Sequence, residues 1–310
     1  MQTGVVIKST GSWYIVRLEE GMNVECRMKG KFRMQGIKTT NPVAVGDVVD
    51  VEVGTEGAVI TGIHDRKNYI IRKATNLSKQ AHIIAANVDV AMLVVTVNHP
   101  VTSTVFIDRF LASAEAYRIP AVLVFNKVDL YDEEEQLMMG ALTQVYTEVG
   151  YECLHVSAVT GEGLERMKEL MRGRVTVFSG LSGVGKSSLV NRVEPGLHLK
   201  VEEISDAHDT GRHTTTFAEM FPLREGGYVV DTPGIRAFGL IGMEKGEISH
   251  YFPEIFRCSA GCRYNNCTHT HEPGCAVVAA VESGEISESR YFSYTSLLEE
   301  GDDKYRKSDY

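Results

Sequence analysis

The segment Gly180-Leu181-Ser182-Gly183-Val184-Gly185-Lys186-Ser187-Ser188 restricts this chain more than any other part of it. It fits G-x-x-x-x-G-K-[ST], and it stands between an apolar run at 175–178 and a helical stretch at 186–193. Strand, glycine-rich loop and helix, in that order, are the context in which the pattern becomes a phosphate-binding loop. The glycines let backbone N–H groups turn toward phosphate oxygens, and the helix adds the positive end of its dipole. Lys186 brings a mobile charge to the β- and γ-phosphates, and the Ser187 hydroxyl is placed to ligate Mg²⁺. A merely glycine-rich turn would lack both flanking elements.

Such a loop needs a parallel sheet to hold it. Apolar runs at 90–97, 121–125, 151–156, 175–178 and 228–230 alternate with helical stretches at 104–117, 133–149, 164–172 and 186–193. Continuous apolar strands separated by helices imply a parallel sheet covered on both faces. The acidic run 132–135 reads as the charged first turn of a helix.

Three further motifs stand at strand ends. Asp231-Thr232-Pro233-Gly234 ends an apolar strand, so Asp231 is expected near Mg²⁺ and the Gly234 N–H near the γ-phosphate. Asn126-Lys127-Val128-Asp129 closes the run 121–125. A carboxylate at Asp129 accepts two hydrogen bonds from guanine, and adenine, lacking that donor pair, would leave it unpaired. Asn126 is expected to support base and loop, and the Lys127 stem to lie on the ring face. Ser157-Ala158 follows the run 151–156 and is expected to offer a backbone N–H to the guanine carbonyl. The motifs imply GTP or GDP with Mg²⁺. Asp129, and the want of an acceptor-substrate motif, disfavour an ATP-dependent kinase.

Their order is unusual. Ordinary GTPases place the phosphate loop first and the base-reading motifs last, whereas here NKVD and SA precede the phosphate loop and DTPG. That is a circular permutation, compatible with one unchanged site because chain termini lie at the surface. It also joins the segment after DTPG directly to the C-terminal region.

The flanking regions differ in kind. Residues 1 to about 72 read as short strands (5–7, 13–16, 48–51, 59–60) broken by turns, which suggests a small barrel of OB type. Residues 1–80 hold twelve Lys/Arg against eight Asp/Glu, a net of +4, within a chain of net −9. A basic head, with an exposed loop at 30–33, allows a local polyanion-binding face on an acidic body. The longest apolar run, 90–97, is far short of the ~20 residues that span a bilayer. No basic-then-apolar leader opens the chain, so a cytoplasmic protein without a membrane partner is expected. Four of the six cysteines, Cys258, Cys262, Cys267 and Cys275, crowd beside His269 and His271. In a reducing compartment such a cluster points to a metal rather than to disulfides, with Cys258 and His271 as rival ligands. Cys26 and Cys153 read as small buried residues.

The permuted order resembles the ribosome small-subunit-dependent GTPase A family (RsgA/YjeQ) over almost the whole chain. The marks are NKVD at 126–129, GLSGVGKSS at 180–188, GRHTTT at 211–216, DTPG at 231–234 and CRYNNCTHTHEPGC at 262–275. The resemblance implies an OB-type barrel (1–72), a circularly permuted P-loop GTPase domain of α/β type (73–240) and a mostly α zinc-binding domain (241–310). It implies GTP hydrolysis stimulated by the small (30S) ribosomal subunit during late assembly, with binding to 16S rRNA. Other assembly factors are expected as partners, and the chain is expected to be monomeric. The family spacing selects Cys262, Cys267, His269 and Cys275 for one structural Zn²⁺ per chain. It favours Thr215 in the switch for closure over Mg²⁺, beside Ser187 and Asp231. Ile235 stands where a water-orienting Gln is found in Ras-like proteins, which predicts slow unaided hydrolysis. His213 is the nearest replacement, so Lys186, His213 and Thr215 are the candidate catalytic groups. A nucleotide-gated RNA-binding protein acting on tRNA or the large subunit is the rival reading.

Overall fold

The computed structural model describes residues 1–11, 13–28, 42–54, 57–73, 81–197, 218–231 and 245–306. The loop at 30–33, the switch residues His213 and Thr215, and Gly234 with Ile235 lie outside the described residues.

The first five strands are β1 (Gln2–Ser9), β2 (Tyr14–Leu18), β3 (Asn23–Met28), β4 (Val48–Gly54) and β5 (Gly57–Ile63). They run in the order β1-β2-β3-β5-β4, and β4 returns to β1, so the sheet closes into a barrel of OB type. Alternation fills it: Tyr14, Val16 and Leu18 of β2 point inward beside Val6, Val49, Val51 and Ile60. β3, which is absent from the strands expected from the sequence, alternates in the same way: Cys26 is buried and Val24 and Met28 are half-buried against the same core, while Asn23, Glu25 and Arg27 are exposed. Trp13, expected to open a strand, stands just before β2 under the Arg27 guanidinium, 3.8 Å from the ring centroid.

β6 (Tyr69–Lys73) and β7 (Ala81–Ala86) form a separate two-stranded sheet. The central sheet comprises β8 (Val90–Val95), β9 (Ala121–Phe125), β10 (Glu152–His155), β11 (Val175–Ser179), β12 (Glu219–Pro222) and β13 (Tyr228–Asp231). In space they run β10-β9-β8-β11-β13-β12, the first five parallel and β12 antiparallel. Helices α1 (Thr104–Ala116), α2 (Glu133–Val149), α3 (Leu164–Met171) and α4 (Lys186–Val193) cover it. All six residues of β8 are buried, as a strand covered on both faces requires. Ala91, Leu93 and Val95 pack with Phe110 of α1 and Tyr146 of α2. Val90, Met92 and Val94 pack on the other face with Met167 of α3 and Leu189 of α4.

β8 ends two residues earlier than the apolar run 90–97. The Thr96 N–H is taken by Thr102 Oγ1 (3.1 Å) and the Val97 N–H by the Tyr131 hydroxyl (3.0 Å), so neither can extend the ladder. The acidic run behaves as read. Asp132 caps α2 by accepting from the Glu135 N–H, and the Glu135 side chain accepts from the Asp132 N–H.

Barrel and central sheet are hydrogen-bonded to each other. β12 pairs with β1 at Lys8↔Glu219, where the two side chains form an ion pair at 3.0 Å. Ile7 and Val45 join the core cluster under β8 and α1.

The C-terminal part holds a 3₁₀ segment, Lys245–Tyr251, and helices α5 (Pro253–Ser259), α6 (Ala276–Glu282) and α7 (Glu288–Arg306). Its core, Phe252, Ile255, Val277, Ile286, Tyr294 and Leu297, includes Ala112 of α1. Arg290 of α7, 1% exposed, locks the two parts together. It donates to Asp108 Oδ1 of α1 at 2.7 Å and to both Glu254 oxygens of α5 at 2.7 and 3.1 Å. The Phe252 ring lies 4.6 Å from its guanidinium carbon. Burial works against its charge, but Asp108 and Glu254 outweigh that and hold its pKa above the ordinary value. Arg290→Ala would strand two buried carboxylates, and breaking such a pair costs ~3–5 kcal/mol. Urea denaturation should show that loss, and a change below ~1 kcal/mol would refute the coupling.

Candidate functional site

The parallel strands send all their C-terminal ends to one edge of the sheet, and the nucleotide motifs among the described residues stand there. Phe125 of β9 leads into 126–129, His155 of β10 into Ser157, Ser179 of β11 into the phosphate loop, and β13 closes on Asp231. Motifs separated by some fifty residues therefore become neighbours. The strand order is that of one continuous site, although the chain visits it in permuted order.

The phosphate loop explains two of its glycines. Gly180 has φ +143°, and a Cβ there would meet the Val94 carbonyl oxygen at 2.3 Å. Gly185, at φ +94°, caps α4, and a Cβ would lie 2.4 Å from Asn126 Nδ2. Only glycine allows both the conformation and the approach. Lys186 Nζ donates to the loop's own carbonyls, Gly180 at 3.0 Å and Leu181 at 2.7 Å. The ammonium is thus held over the loop, where an anion would compete for it. Ser187 and Ser188 lie in the first turn of α4, both half-buried, while Val184 anchors the loop in the core.

Asn126 ties the base-reading loop to the phosphate loop. It is 1% exposed, and its Nδ2 donates to the Val184 carbonyl at 2.7 Å. Its Oδ1 is buried with no hydrogen-bond partner among the described residues. Lys127 adopts φ +65°, and its ammonium reaches the His99 carbonyl at 2.5 Å, laying the aliphatic stem across the loop. Burial pulls the Lys127 pKa down, with Asp129 acting in the opposite sense. Asp129 sits exposed in the 3₁₀ turn Val128–Leu130. Ser157 is fully buried and its Oγ accepts from Val159 and Thr160 N–H at 3.1 and 3.0 Å, shaping the turn that presents Ala158.

One supporting residue carries no motif. The Tyr131 hydroxyl donates to the Asn126 carbonyl at 2.7 Å and accepts from the Val97 N–H at 3.0 Å, so it fastens the loop after β9 to the end of β8. A tyrosine two residues past NKxD has no sequence signature, and only its burial beside the motif marks it.

The second cluster lies in the C-terminal part. Ligand atoms of Cys262, Cys267, His269 and Cys275 all fall within 4.8 Å of one another. Cys262 Sγ is 3.9 Å from Cys275 Sγ, and His269 Nδ1 is 3.5 and 3.6 Å from those two sulfurs. A tetrahedral ion with ~2.3 Å bonds to sulfur needs edges of about 3.8 Å, so the set fits one closed four-coordinate cation. The rivals fall away. Cys258 Sγ faces Glu285 at 3.8 Å, and His271 Nδ1 faces the Thr270 hydroxyl at 2.9 Å. Cys26 is buried as read, whereas Cys153 is half-buried. Burial holds the His269 pKa below its ordinary value, which favours the neutral imidazole that a metal takes. Among the described residues, no helix is long and apolar enough to cross a membrane.

This geometry has known counterparts. The family model described as RsgA GTPase matches residues 63–241, and that of the RsgA N-terminal domain matches residues 3–60. The small ribosomal subunit biogenesis GTPase RsgA of Bacteroides fragilis is 60% identical over 305 residues, covering 98% of both chains. The protein of the same name from Porphyromonas gingivalis is 56% identical, again over 98% of each. The crystal structure of YjeQ from Thermotoga maritima superimposes with a TM-score of 0.80 at 39% identity, covering 96% of this chain and 98% of that one. YloQ, described as a circularly permuted GTPase, gives a TM-score of 0.77 at 30% identity, covering 100% and 97%. Family models over both the barrel and the nucleotide edge, with relatives matched over nearly the whole chain, agree, and this chain, a GTP hydrolase, belongs to the RsgA GTPase family.

Proposed function

We propose that this protein hydrolyses GTP to GDP and phosphate on the small ribosomal subunit, in late 30S assembly, through contacts with 16S rRNA. The observation that carries the reading is the Asn126–Val184 bond, which joins a guanine-reading loop to a phosphate loop in one pocket. In the reading, Asp129 selects guanine, with Asn126, Lys127, Ser157 and Ala158 around the base. Residues 180–188 wrap the phosphates, and Ser187, Thr215 and Asp231 serve Mg²⁺ with Gly234 at the γ-phosphate. One Zn²⁺ held by Cys262, Cys267, His269 and Cys275 keeps the C-terminal part folded. Three working units, 1–72, 73–240 and 241–310, suit the separate cores of the barrel and of the C-terminal part. The Trp13–Arg27 pair supports the RNA contact. It stands on the β1–β2 loop and β3, where OB barrels take oligonucleotides, and a cation over an indole can extend a stack with bases. The names of the Bacteroides and Porphyromonas relatives, which join GTPase to small-subunit biogenesis, point the same way.

The test is GTP turnover with purified 30S subunits, 50S subunits or tRNA. Slow basal turnover is expected, since Ile235 cannot orient water. Partner-supplied groups are worth ~10³–10⁵ in GTPases, so 30S should stimulate by orders of magnitude while 50S and tRNA do not. His213→Ala should cost the stimulated rate more than the basal rate. Stimulation by tRNA or 50S instead of 30S would establish the rival reading. Full stimulation in His213→Ala would remove His213 from the role of placing water.

A further inference from the structure

We propose that the cavity between the Cys₃His loop and α7 seats one unpaired RNA base, stacked on Tyr264 and read by Asn265 and Asn266. The inference rests on the rRNA-binding reading above and names a contact that the reading does not contain. The cavity measures about 570 Å³ and is bounded by the 3₁₀ segment Lys245–Tyr251, the loop 262–270 and α7. That volume falls within the roughly 300–1,000 Å³ of small-ligand sites, on the far side of the chain's sequence from the nucleotide motifs.

Its chemistry selects the ligand. Asn265 and Asn266 are exposed in the wall, and their carboxamides make no hydrogen bond among the described residues. Adjacent amides offer donors and acceptors together, which is what the edge of a nucleobase demands. Tyr264, 41% exposed, supplies a ring face with the Arg263 guanidinium 5.6 Å from its centroid. Lys245 and His250 also line it, and Glu299 is the one carboxylate among the lining residues. A free phosphate would find too little positive charge here, and an apolar ligand would strand both amides. A base stacked on an aromatic ring, with its backbone near Lys245 and Arg263, satisfies ring, amides and cations together.

The wall is also set in advance. The Glu272 carboxylate accepts from Thr268 N–H at 2.7 Å and Thr270 N–H at 3.1 Å, and the Tyr294 hydroxyl donates to the Thr268 carbonyl at 2.9 Å. The loop carrying the amides is therefore braced from two sides, which reduces the ordering cost of binding. Tyr264, Asn265 and Asn266, three consecutive residues, all line the cavity.

The experiment uses the full chain loaded with a non-hydrolysable GTP analogue. Binding to purified 30S subunits is compared for the wild type, Tyr264→Ala, Tyr264→Phe and the double variant Asn265→Ala with Asn266→Ala. Bound metal and GDP affinity are measured on each, so a misfolded variant is recognised and excluded. Losing one base contact should weaken 30S binding roughly tenfold or more in Tyr264→Ala and in the double variant. Tyr264→Phe, which keeps the ring, should stay within about twofold of the wild type. Wild-type binding by metal-loaded Tyr264→Ala and double variants overturns the inference. If the wild type itself does not bind 30S, the proposed function fails instead. The cavity is then judged on single-stranded adenine, cytosine and uracil hexaribonucleotides against a duplex RNA. Hexamer binding lost in the double variant supports the cavity, and no variant-sensitive binding overturns it.

Discussion

Asp129→Asn is expected to exchange guanine for xanthine nucleotides. The wild-type carboxylate offers two acceptors to the ring N–H and exocyclic amine of guanine, and an amide turns one of them into a donor facing a donor. Xanthine carries a carbonyl where guanine carries the amine, so the same amide finds an acceptor. Sites built around such polar pairs reject the mismatched partner by factors on the order of 10⁴. The position favours a clean result, because Asp129 is exposed and the turn that holds it is shaped by Lys127 and Tyr131. Titration with fluorescent GDP and XDP should show GDP affinity falling by orders of magnitude while XDP affinity rises, with the circular dichroism spectrum unchanged. A variant that still holds GDP within about tenfold of the wild type would mean that Asp129 does not read the base, and comparable wild-type affinity for ATP and GTP would say the same of the whole loop.

The second large effect concerns metal. Elemental analysis should find one zinc per chain, and its removal should unfold the C-terminal part. The reason lies in the shortness of the helices on either side of the ligand loop. Its four ligand residues sit between α5 and α6, each only seven residues long, and helices that short are marginal without an external tie. Structural zinc contributes ~10–16 kcal/mol of apparent binding energy in small fingers, comparable to a whole domain's usual stability. Chelation or Cys275→Ala should expose the remaining cluster thiols to titration and abolish slow hydrogen exchange in α5 and α6. GDP binding should persist, because no residue of the nucleotide edge belongs to that core. Purified protein without metal, whose α5 and α6 exchange as slowly as β8, would refute the assignment.

Much of the candidate site was legible because its residues work through local backbone. The loop at 180–188 and the turns at 126–129 and 157–158 are each one contiguous segment at a strand end, so spacing alone identifies them. The charged first turn at 132–135 was legible for the same reason, though the capping box within it was not. Tyr131 was not, because its task is to bridge two strands that are adjacent only in the folded sheet. Arg290 was not, because its partners Asp108 and Glu254 lie 182 and 36 residues away and nothing in a polar C-terminal helix announces a buried cation. The barrel was readable as a class from its turns, yet β3 escaped because its apolar residues, Val24, Cys26 and Met28, alternate singly with polar ones and form no apolar run. β12 escaped because its four residues, Glu219-Met220-Phe221-Pro222, hold only two apolar residues and end in a proline, a poor strand former. The cluster at 258–275 gave its element type but left two rival ligands, since choosing among neighbouring thiols and imidazoles needs distances.

The pairing of β12 with β1 has a mechanical meaning. Glu219 faces Asp231 on one side and Lys8 on the other, so a single cross-strand row runs from the end of DTPG's strand into the barrel. The chain carrying Thr215 enters that row at β12, and the chain carrying Gly234 leaves it at β13. Any pull that the γ-phosphate exerts through either segment is thereby applied one strand away from the barrel wall, across peptide hydrogen bonds instead of a slack tether. A shift of either strand would therefore reach the barrel as a tilt rather than as slack taken up in a linker.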